Sequence, residues 1–205
     1  SIAHEIRNPM TTVRGFLQLL KEVEKYADEI DSFNLMIEEL DRANSIITEF
    51  LSLAKNKMVE IKPVNLNTVI NNVYPLILAK AMMQDKIISL NLDDIPDLLL
   101  DEQEVRQLIL NLINNGLESI PEGKIVFLST YTSDNQVILA VRDQGEGIKE
   151  EIIEKLGTPF FSTKEGGTGL GLAICYGIAS RYNAKIEIDT GPNGSIFYVC
   201  FPTIE

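Results

Sequence analysis

Apolar residues recur at alternating spacings of three and four along the first 54 positions, which is the heptad pattern of helices that pack against other helices. The first such seam consists of Ala3, Ile6, Met10, Val13, Leu17 and Leu20. The second consists of Phe33, Met36, Leu40, Ala43, Ile47, Phe50 and Ala54. A polar stretch over residues 26–31 separates them, and Asp31 or Ser32 is the predicted N-cap of the second helix. The pattern predicts an antiparallel helical hairpin.

The apolar stripe of this hairpin is wider than one partner helix could cover. The residues that widen it beside the two seams are Phe16, Val23, Ile37, Ile46 and Leu53. An uncovered apolar face of this kind favours association with a second copy. We therefore expect two hairpins from two chains to form a dimeric four-helix bundle.

The helical pattern lapses in the segment KNKMVEIKP, where charged residues are followed by Pro63. We therefore predict three parts. They are a hairpin domain over residues 1–57, a linker over 58–64 and a second domain over 65–205.

The second domain alternates between the two kinds of periodicity. Its predicted helices are 66–84, 102–120, 149–156 and 169–182, and its predicted strands are 87–92, 124–132, 136–142, 185–189 and 195–201. The residues SDN join two of these strands, while helices connect other segments. The order predicts an α+β sandwich, with helices packed on a mixed sheet.

Charge narrows the range of partners. Thirty acidic residues against eighteen basic ones give a net charge of −12, so the long-range field repels nucleic acid. We expect no nucleic-acid partner. A phosphate group would have to be held by local contacts and a divalent cation.

The cysteines indicate the compartment. Cys175 and Cys200 stand in separate apolar runs without the spacing of a metal site, so we expect reduced core thiols in a cytoplasmic protein. No uninterrupted apolar stretch approaches the roughly 20 residues of a membrane span. Since the chain starts without Met and within a helical pattern, we expect it to be the C-terminal part of a longer protein. A region upstream of Ser1 would then be the candidate membrane anchor.

Three motifs in the second domain could bind a ligand. Asp143 ends the strand-like run VILAVR and opens DQGEG, although a surface turn is the commoner fate of such a motif alone. GGTGLGL precedes an apolar helix whose N-terminal amides could receive phosphate oxygens, or it is a flexible hinge. Asn111 and Asn115 share one helix face and could offer amide oxygens to Mg²⁺, although helical Asn is usually solvated.

Together these motifs resemble, in order, the nucleotide-binding boxes of sensor histidine kinases. The matching segments are 111–118, 143–147, 159–172 and 191–197, and HEIRNP at 4–9 resembles the phosphoacceptor box of that family. The segments SIAHEIRNP and RGFLQLL are most similar to the corresponding sequences of the sporulation kinases of endospore-forming bacilli. The resemblance covers essentially the whole chain. It implies that the second domain is an α/β sandwich ATP-binding domain of the histidine kinase and Hsp90-like type.

The resemblance also implies residue roles in binding ATP and Mg²⁺. Asp143 would bind the adenine amino group, with Gly145 and Gly147 lining the base pocket. Asn115 would ligate Mg²⁺ and Asn111 would lie near the phosphates.

A mobile lid would close over the phosphates. Lys164 and Thr168 are candidate phosphate contacts in it. The glycines expected at its hinge and phosphate-facing end are Gly167, Gly169 and Gly171, with Leu170 among the nucleotide-binding residues and Phe160 and Phe161 as anchors.

His4 is the only histidine of the chain, and the heptad register puts it one step past the seam, facing water. An isolated exposed His usually has no function, but beside an ATP pocket it is the candidate phosphoacceptor. The resemblance implies that Glu5 orients the ring or accepts its proton. It also implies that Asn8, four residues beyond on the same face, positions water for dephosphorylating the partner regulator.

The expected reaction is autophosphorylation of His4 from Mg-ATP, followed by transfer to an aspartate of a response regulator in a sporulation phosphorelay. ATP-hydrolysing relatives carry Glu at the position of Asn111, and an Asn cannot act as a general base, which favours transfer over hydrolysis. The regulator would dock beside His4 on Asn8, Thr11, Thr12, Gly15 and Leu19, and a protein inhibitor is a further candidate partner of the bundle. Two alternatives remain. One is a gyrase, Hsp90 or MutL-like ATPase whose hairpin only dimerises, and the other is an inactive nucleotide-binding scaffold.

Overall fold

The computed structural model describes residues 2–54, 59–164 and 167–203, without the side chains of residues 2–4 and 52–54. The chain divides into two compact units, Ser1–Asn56 and Lys57–Glu205. Each unit is described by itself.

The first unit is the predicted helical hairpin. Helix α1 spans Ile2–Lys21, a 3₁₀ helix spans Glu24–Glu29, and helix α2 spans Ile30–Ala54. The prediction that Asp31 or Ser32 caps α2 is wrong. The backbone of Ile30 is already helical (φ −55°, ψ −41°), so the 3₁₀ helix runs into α2 without a separate cap.

Three polar contacts align the two helices of the hairpin. Arg14 makes a bidentate ion pair with Asp41, with Nε–Oδ1 at 2.7 Å and Nη2–Oδ2 at 3.0 Å. One heptad before it, Arg7 donates to Thr48, and one heptad after it, Lys21 donates to Asn34. Because all three contacts step by seven residues in opposite directions along the helices, they mark one continuous antiparallel register.

The hairpin buries little of its own apolar face. In the described part of the hairpin, Ile37 alone is buried, although it was predicted to lie beside the seam. The seam residues Val13, Met36 and Phe50 are 49%, 50% and 47% exposed. The described residues of one hairpin therefore leave part of the seam uncovered.

The second unit is a mixed sheet with helices, as predicted. The helices are α3 Leu66–Met83, α4 Glu102–Ser119, α5 Glu150–Ile153 and α6 Gly171–Arg181. The strands are β1 Lys62–Val64, β2 Ile87–Leu92, β3 Leu98–Leu100, β4 Ile125–Ser133, β5 Gln136–Arg142, β6 Lys185–Gly191 and β7 Gly194–Pro202. The main sheet has the order β2-β4-β5-β7-β6, in which β2 and β4 are parallel and the other neighbours are antiparallel.

The alternation of buried residues explains how the helices cover the sheet. Val126, Leu128 and Thr130 of β4 are fully buried, while the residues between them are partly exposed. The turn between β4 and β5 places Asp134 and Asn135 at φ 47° and 63°, the left-handed pair of a tight hairpin turn. The core lies between this sheet face and α3, α4 and α6, where Leu108, Ile109, Leu112 and Leu139 are fully buried.

The structure differs from the prediction at the end of the linker. Residues 55–58 lie outside the described residues, but Lys62–Val64 form β1, which pairs antiparallel with β3. Val64 is buried in the core, so the strand is held by its last side chain as well as by pairing. Neither three-residue strand was predicted, because so short a segment carries too little alternation.

Two helices are shorter than predicted. α5 covers only Glu150–Ile153, and α6 starts at Gly171 because Gly169 takes a left-handed φ of 68°. Both cysteines are free and buried, in agreement with the prediction of core thiols. Among the described residues, no helix has the length and apolar character needed to cross a membrane.

Candidate functional site

Helix α4 is the element that connects the predicted ligand-binding segments. Its first turn is capped by Asp101, whose Oδ1 accepts from the backbone N–H groups of Gln103 and Glu104 at 2.9 Å and 3.2 Å. The other half of the helix carries Asn111, Asn115 and Gly116. Each of these three contacts a different segment of the unit, so α4 brings the predicted boxes together.

Asn111 contacts the start of α6. Its Nδ2 donates to the carbonyl oxygen of Gly171 at 3.0 Å, which fixes the plane of the carboxamide. Cys175, one turn further along α6, is buried beside it, and this burial raises the pKa of the thiol to about 12. A thiol with so high a pKa stays protonated at neutral pH and has no part in the chemistry of the site.

Gly116 contacts the sheet. A Cβ at this position would lie 3.2 Å from Val126 Cγ1 and 3.8 Å from the Cβ of Asp143. A glycine within the helix therefore allows close packing of α4 on β4, beside the residue that ends β5. This brings Asp143 against the same helix that carries Asn111 and Asn115.

The two oxygens of the Asp143 carboxylate have different surroundings. Oδ1 accepts from the backbone N–H groups of Gly145 at 2.8 Å and Ser195 at 3.2 Å, and the residue is only 5% exposed. No described residue donates to Oδ2. A buried carboxylate oriented through one oxygen has its other oxygen available for a donor such as an amino group of a ligand.

The backbone around Asp143 is closely packed. Gly194 has φ +122°, and a Cβ there would lie 2.1 Å from the carbonyl oxygen of Asp143. Gly145 and Gly147 lie against the backbone of Ser119 and Gly191 in the same way. These glycines therefore let protein segments approach one another, and they do so around the end of β5.

Two hydroxyl groups that the sequence did not single out complete this region. Thr190 Oγ1 accepts from the backbone N–H of Ile148 at 2.8 Å and lies 2.8 Å from Ser195 Oγ. They tie the segment after Asp143 to the β6–β7 hairpin. Ser195 stands inside the predicted box at 191–197, but Thr190 precedes it and had no motif to mark it.

The predicted lid has a narrow neck. The backbone N–H of Phe160 donates to the carbonyl oxygen of Gly169 at 3.1 Å, and both residues have left-handed φ values of 67° and 68°. A Cβ on Gly169 would lie 2.5 Å from the backbone of Phe160, so only glycine permits this crossing. At the base of the lid, the ring of Tyr176 packs on Gly157, a contact that no motif predicted.

The lid residues within the neck are partly described. Gly167 lies against Ser162 and Lys164, and the hydroxyl of Thr168 accepts from the N–H of Leu170 at 3.3 Å. Residues 165 and 166 lie outside the described part. The chain therefore runs from the lid directly into α6 through Gly167, Thr168, Leu170 and Gly171. The last of these is the residue whose carbonyl oxygen accepts from Asn111.

Lys164 connects the lid to α4. Its Nζ donates to the carbonyl oxygen of Asn115 at 3.2 Å and to Glu118 Oε2 at 3.0 Å. The predicted phosphate contact is thus ion-paired with a carboxylate in this structure. No described residue bonds to the carboxamide of Asn115, which leaves its oxygen available as a ligand.

The described residues contain no group of three or more His, Cys, Asp or Glu side chains that could hold a metal ion by themselves. A divalent cation would have to take most of its ligands from phosphate and water, which is the manner in which Mg²⁺ is commonly bound. The uncharged amide oxygen of Asn115 fits such a role.

The predicted residues of the hairpin lie in the first unit. Glu5 and Asn8 are exposed on α1, whereas His4 belongs to α1 by its backbone and its side chain lies outside the described residues. The hydroxyls of Thr11 and Thr12 donate to the carbonyl oxygens of Arg7 and Asn8. Leu19 is 62% exposed, as its position off the seam predicted, and a Cβ on Gly15 would meet nothing within 4 Å.

Two protein-family models match the chain. The His Kinase A (phospho-acceptor) domain matches residues 1–58, and the histidine kinase-, DNA gyrase B- and HSP90-like ATPase matches residues 100–205. The first contains His4, and the second contains Asn111, Asn115, Asp143 and the whole of the lid.

Curated relatives are sporulation kinases of Bacillus subtilis (strain 168). Sporulation kinase C is 36% identical over 204 residues, covering 98% of this chain and 47% of that protein. Sporulation kinase B is 34% identical over 195 residues, covering 93% of this chain and 45% of that protein. The comparison supports the group as a whole, and the chain spans about half the length of these relatives.

A solved structure agrees with the fold. Histidine kinase ThkA in complex with the response regulator protein TrrA matches with a TM-score of 0.73 and 29% identity, covering 99% of this chain and 60% of that one. The chain thus consists of a hairpin that matches the phospho-acceptor domain and a sheet domain that matches the ATPase. In the sheet domain, α4 contacts each of the predicted ligand-binding segments. The chain belongs to the sensor histidine kinase family and resembles the sporulation kinases within it.

Proposed function

We propose that this chain is the catalytic core of a two-component sensor histidine kinase, which phosphorylates His4 from Mg-ATP and passes the phosphoryl group to an aspartate of a response regulator. The observation that carries the proposal is that the only histidine of the 205 residues falls within the segment matched by the phospho-acceptor domain. An ATP-binding domain whose hairpin only dimerised would not need that residue.

Asp143 is the proposed adenine-binding group. Oδ2 accepts from the exocyclic amino group, while the two backbone N–H donors on Oδ1 hold the carboxylate in place. Gly145 and Gly147 form the wall of the base site. Recognition by a buried carboxylate is selective because a base that lacks the amino group leaves Oδ2 without a donor.

The phosphates are proposed to lie between α4 and the lid. Lys164, Thr168 and the backbone from Gly167 to Gly171 approach them from the lid, and Leu170 closes the apolar side. Asn115 would hold Mg²⁺, which supplies positive charge to the phosphate oxygens. Asn111 is held by Gly171 and cannot accept a proton from water, so the site lacks a general base at this position.

The proposed step is an in-line displacement at the γ-phosphorus. A bond forms between a ring nitrogen of His4 and phosphorus, the bond to the bridging oxygen of ADP breaks, and Glu5 accepts the other ring proton. The neutral imidazole is the nucleophile, because one of its ring nitrogens has a lone pair free to attack phosphorus.

The partners are proposals as well. ThkA, a relative of this chain, was solved with a response regulator. We propose that a receiver domain docks on the exposed surface formed by Asn8, Thr11, Thr12, Gly15 and Leu19, and that Asn8 positions water when the regulator is dephosphorylated. A protein inhibitor would compete for the same bundle. Because ATP is the substrate and the thiols are free, the proposed compartment of this part is the cytoplasm.

Incubation with γ-labelled ATP tests the proposal. The chain should acquire label that is acid-labile and alkali-stable, as a phosphohistidine is, and His4→Gln should abolish it. Asp143→Asn should lower labelling at least tenfold, because the amide must turn its oxygen to the two N–H donors and then presents NH₂ to the adenine amino group. Asp189→Asn, at an exposed position of β6, is the matched control and should label normally.

Two outcomes favour the alternatives. Steady phosphate release without label on the chain would indicate an ATPase, and neither release nor label would indicate a nucleotide-binding scaffold.

A further inference from the structure

The ion pair between Lys164 and Glu118 joins the lid to the last turn of α4. Lys164 Nζ lies 3.0 Å from Glu118 Oε2 and 3.2 Å from the carbonyl oxygen of Asn115. The two side chains are 36% and 47% exposed, so the pair is reached by solvent on one side. Forty-six residues separate them in sequence.

The position explains why the ammonium group binds there. Glu118 lies in the last turn of α4, where the helix dipole presents partial negative charge, so an unpaired carboxylate at this end is disfavoured. Lys164 neutralises the carboxylate and also satisfies a backbone carbonyl. The lid is thereby held against α4 by a group that the nucleotide also needs.

A phosphate oxygen and the Glu118 carboxylate are alternative acceptors for the same ammonium group. Both are negative, and each is stabilised most when the ammonium group pairs with it alone. A lysine has three N–H donors, but it cannot neutralise two anions fully. Phosphate binding at Lys164 therefore weakens the pair with Glu118.

We infer that Glu118 is a positioning residue that competes with the nucleotide phosphates for Lys164, so that Lys164 is held on α4 without nucleotide and turns to the phosphates as they bind. This inference rests on the proposed function of the site. In this proposal Glu118 lowers the affinity for the nucleotide, and its whole effect on that affinity passes through Lys164.

A double-mutant cycle in equilibrium binding tests it, with Mg-ATP and adenosine as the two probes. Glu118→Gln should tighten Mg-ATP binding by about two- to fivefold, the range expected from an exposed ion pair. Adenosine has no phosphate, so its affinity should not change. In a Lys164→Met background, Glu118→Gln should leave the affinity for Mg-ATP unchanged.

The matched control is Glu102→Gln. Glu102 is 37% exposed at the other end of α4 and pairs with Lys62 at 3.2 Å, so its substitution removes the same charge and a similar ion pair. The affinity for Mg-ATP should not change in this variant. Tightening by Glu102→Gln equal to that by Glu118→Gln would mean that net charge alone is responsible.

Four further outcomes overturn the inference. Tightening that persists in the Lys164→Met background would show direct repulsion, and weaker Mg-ATP binding by Glu118→Gln would show that Glu118 orients Lys164 toward the phosphate. If adenosine binds but Glu118→Gln leaves the affinity for Mg-ATP unchanged, the inference is removed and the proposed nucleotide site stays intact. If the wild type binds neither adenosine nor Mg-ATP, the proposed function fails and the inference fails with it.

Discussion

Asp143 illustrates what single residues contribute to this site. Its position at the end of a strand is evident from the sequence, since VILAVR is an apolar run that stops at DQGEG. The division of labour between its two oxygens is not evident, because one of the donors to Oδ1 is Ser195, which is 52 residues away. The same applies to Gly194, whose tight contact is with the backbone of Asp143.

Substitution of Gly194 by Ala should destabilise the second unit. The left-handed φ of +122° and the 2.1 Å approach to the Asp143 carbonyl oxygen leave no room for a Cβ, so we expect a loss of about 1–3 kcal/mol in the free energy of unfolding. Denaturant unfolding measures this directly. Nucleotide binding should weaken in parallel, because Asp143 is displaced.

Gly177→Ala is the matched control for this variant. Gly177 lies in α6, and a Cβ there would meet nothing within 4 Å, so the substitution should raise stability by about 0.5–1 kcal/mol. Equal effects of the two substitutions would contradict the assignment of strain to Gly194.

At the scale of elements, sequence and structure agree where a pattern is long. The helices α1, α2, α3 and α4 and the long strands follow their apolar periodicity to within a few residues. β1 and β3 were missed because three residues carry too little alternation, and the start of α6 was misplaced because Gly169 and Phe160 cross at the neck of the lid. The register of the hairpin depends on polar pairs between helices.

The pair of Arg14 with Asp41 should make hairpin stability depend on pH. The hydrogen bond from Arg14 lowers the pKa of Asp41 below its ordinary value of 3.8. A carboxyl with a lowered pKa in the folded state contributes stability above the ordinary value and loses it as pH falls through the folded value. The protection factors of the amides in α1 and α2, measured against the intrinsic exchange rate at each pH, should therefore fall at acid pH, and less so in Asp41→Asn.

Charge reversal is the control for this interpretation. Arg14→Asp places two carboxylates together and should accelerate amide hydrogen exchange at pH 7. The double variant Arg14→Asp/Asp41→Arg, in which the two charges are swapped, should restore protection. A double variant as poorly protected as the single one would mean that the pair does not contribute to the register.

At the scale of the whole molecule, the chain consists of two units with different surfaces. The first leaves the seam residues Val13, Met36 and Phe50 about half exposed, a feature that one hairpin cannot explain from its own contacts. A second copy is the proposed cover. Leu19 is also exposed, but it lies off the seam, on the surface proposed for the regulator.

Two lysine substitutions should separate these surfaces. Val13→Lys places a charge in the proposed dimer seam twice, once from each chain, and should raise the dimer dissociation constant by about tenfold or more. Leu19→Lys should leave the dimer intact and slow phosphotransfer to the regulator by about fivefold. Analytical ultracentrifugation and a transfer assay measure the two effects. Dimer dissociation by Leu19→Lys alone would reverse the assignment of the surfaces.

The sequence by itself determined the types of the elements and the order of the nucleotide boxes, because these depend on local spacings and motifs. The outward register of His4 stays a prediction from the same spacings. Only the tertiary structure decided which oxygen of Asp143 stays available, that Asn111 is bound to Gly171, and that Lys164 is paired with Glu118. Those contacts join residues 52, 60 and 46 positions apart. No local pattern encodes them, since they exist only once α4, the sheet and the lid have packed together.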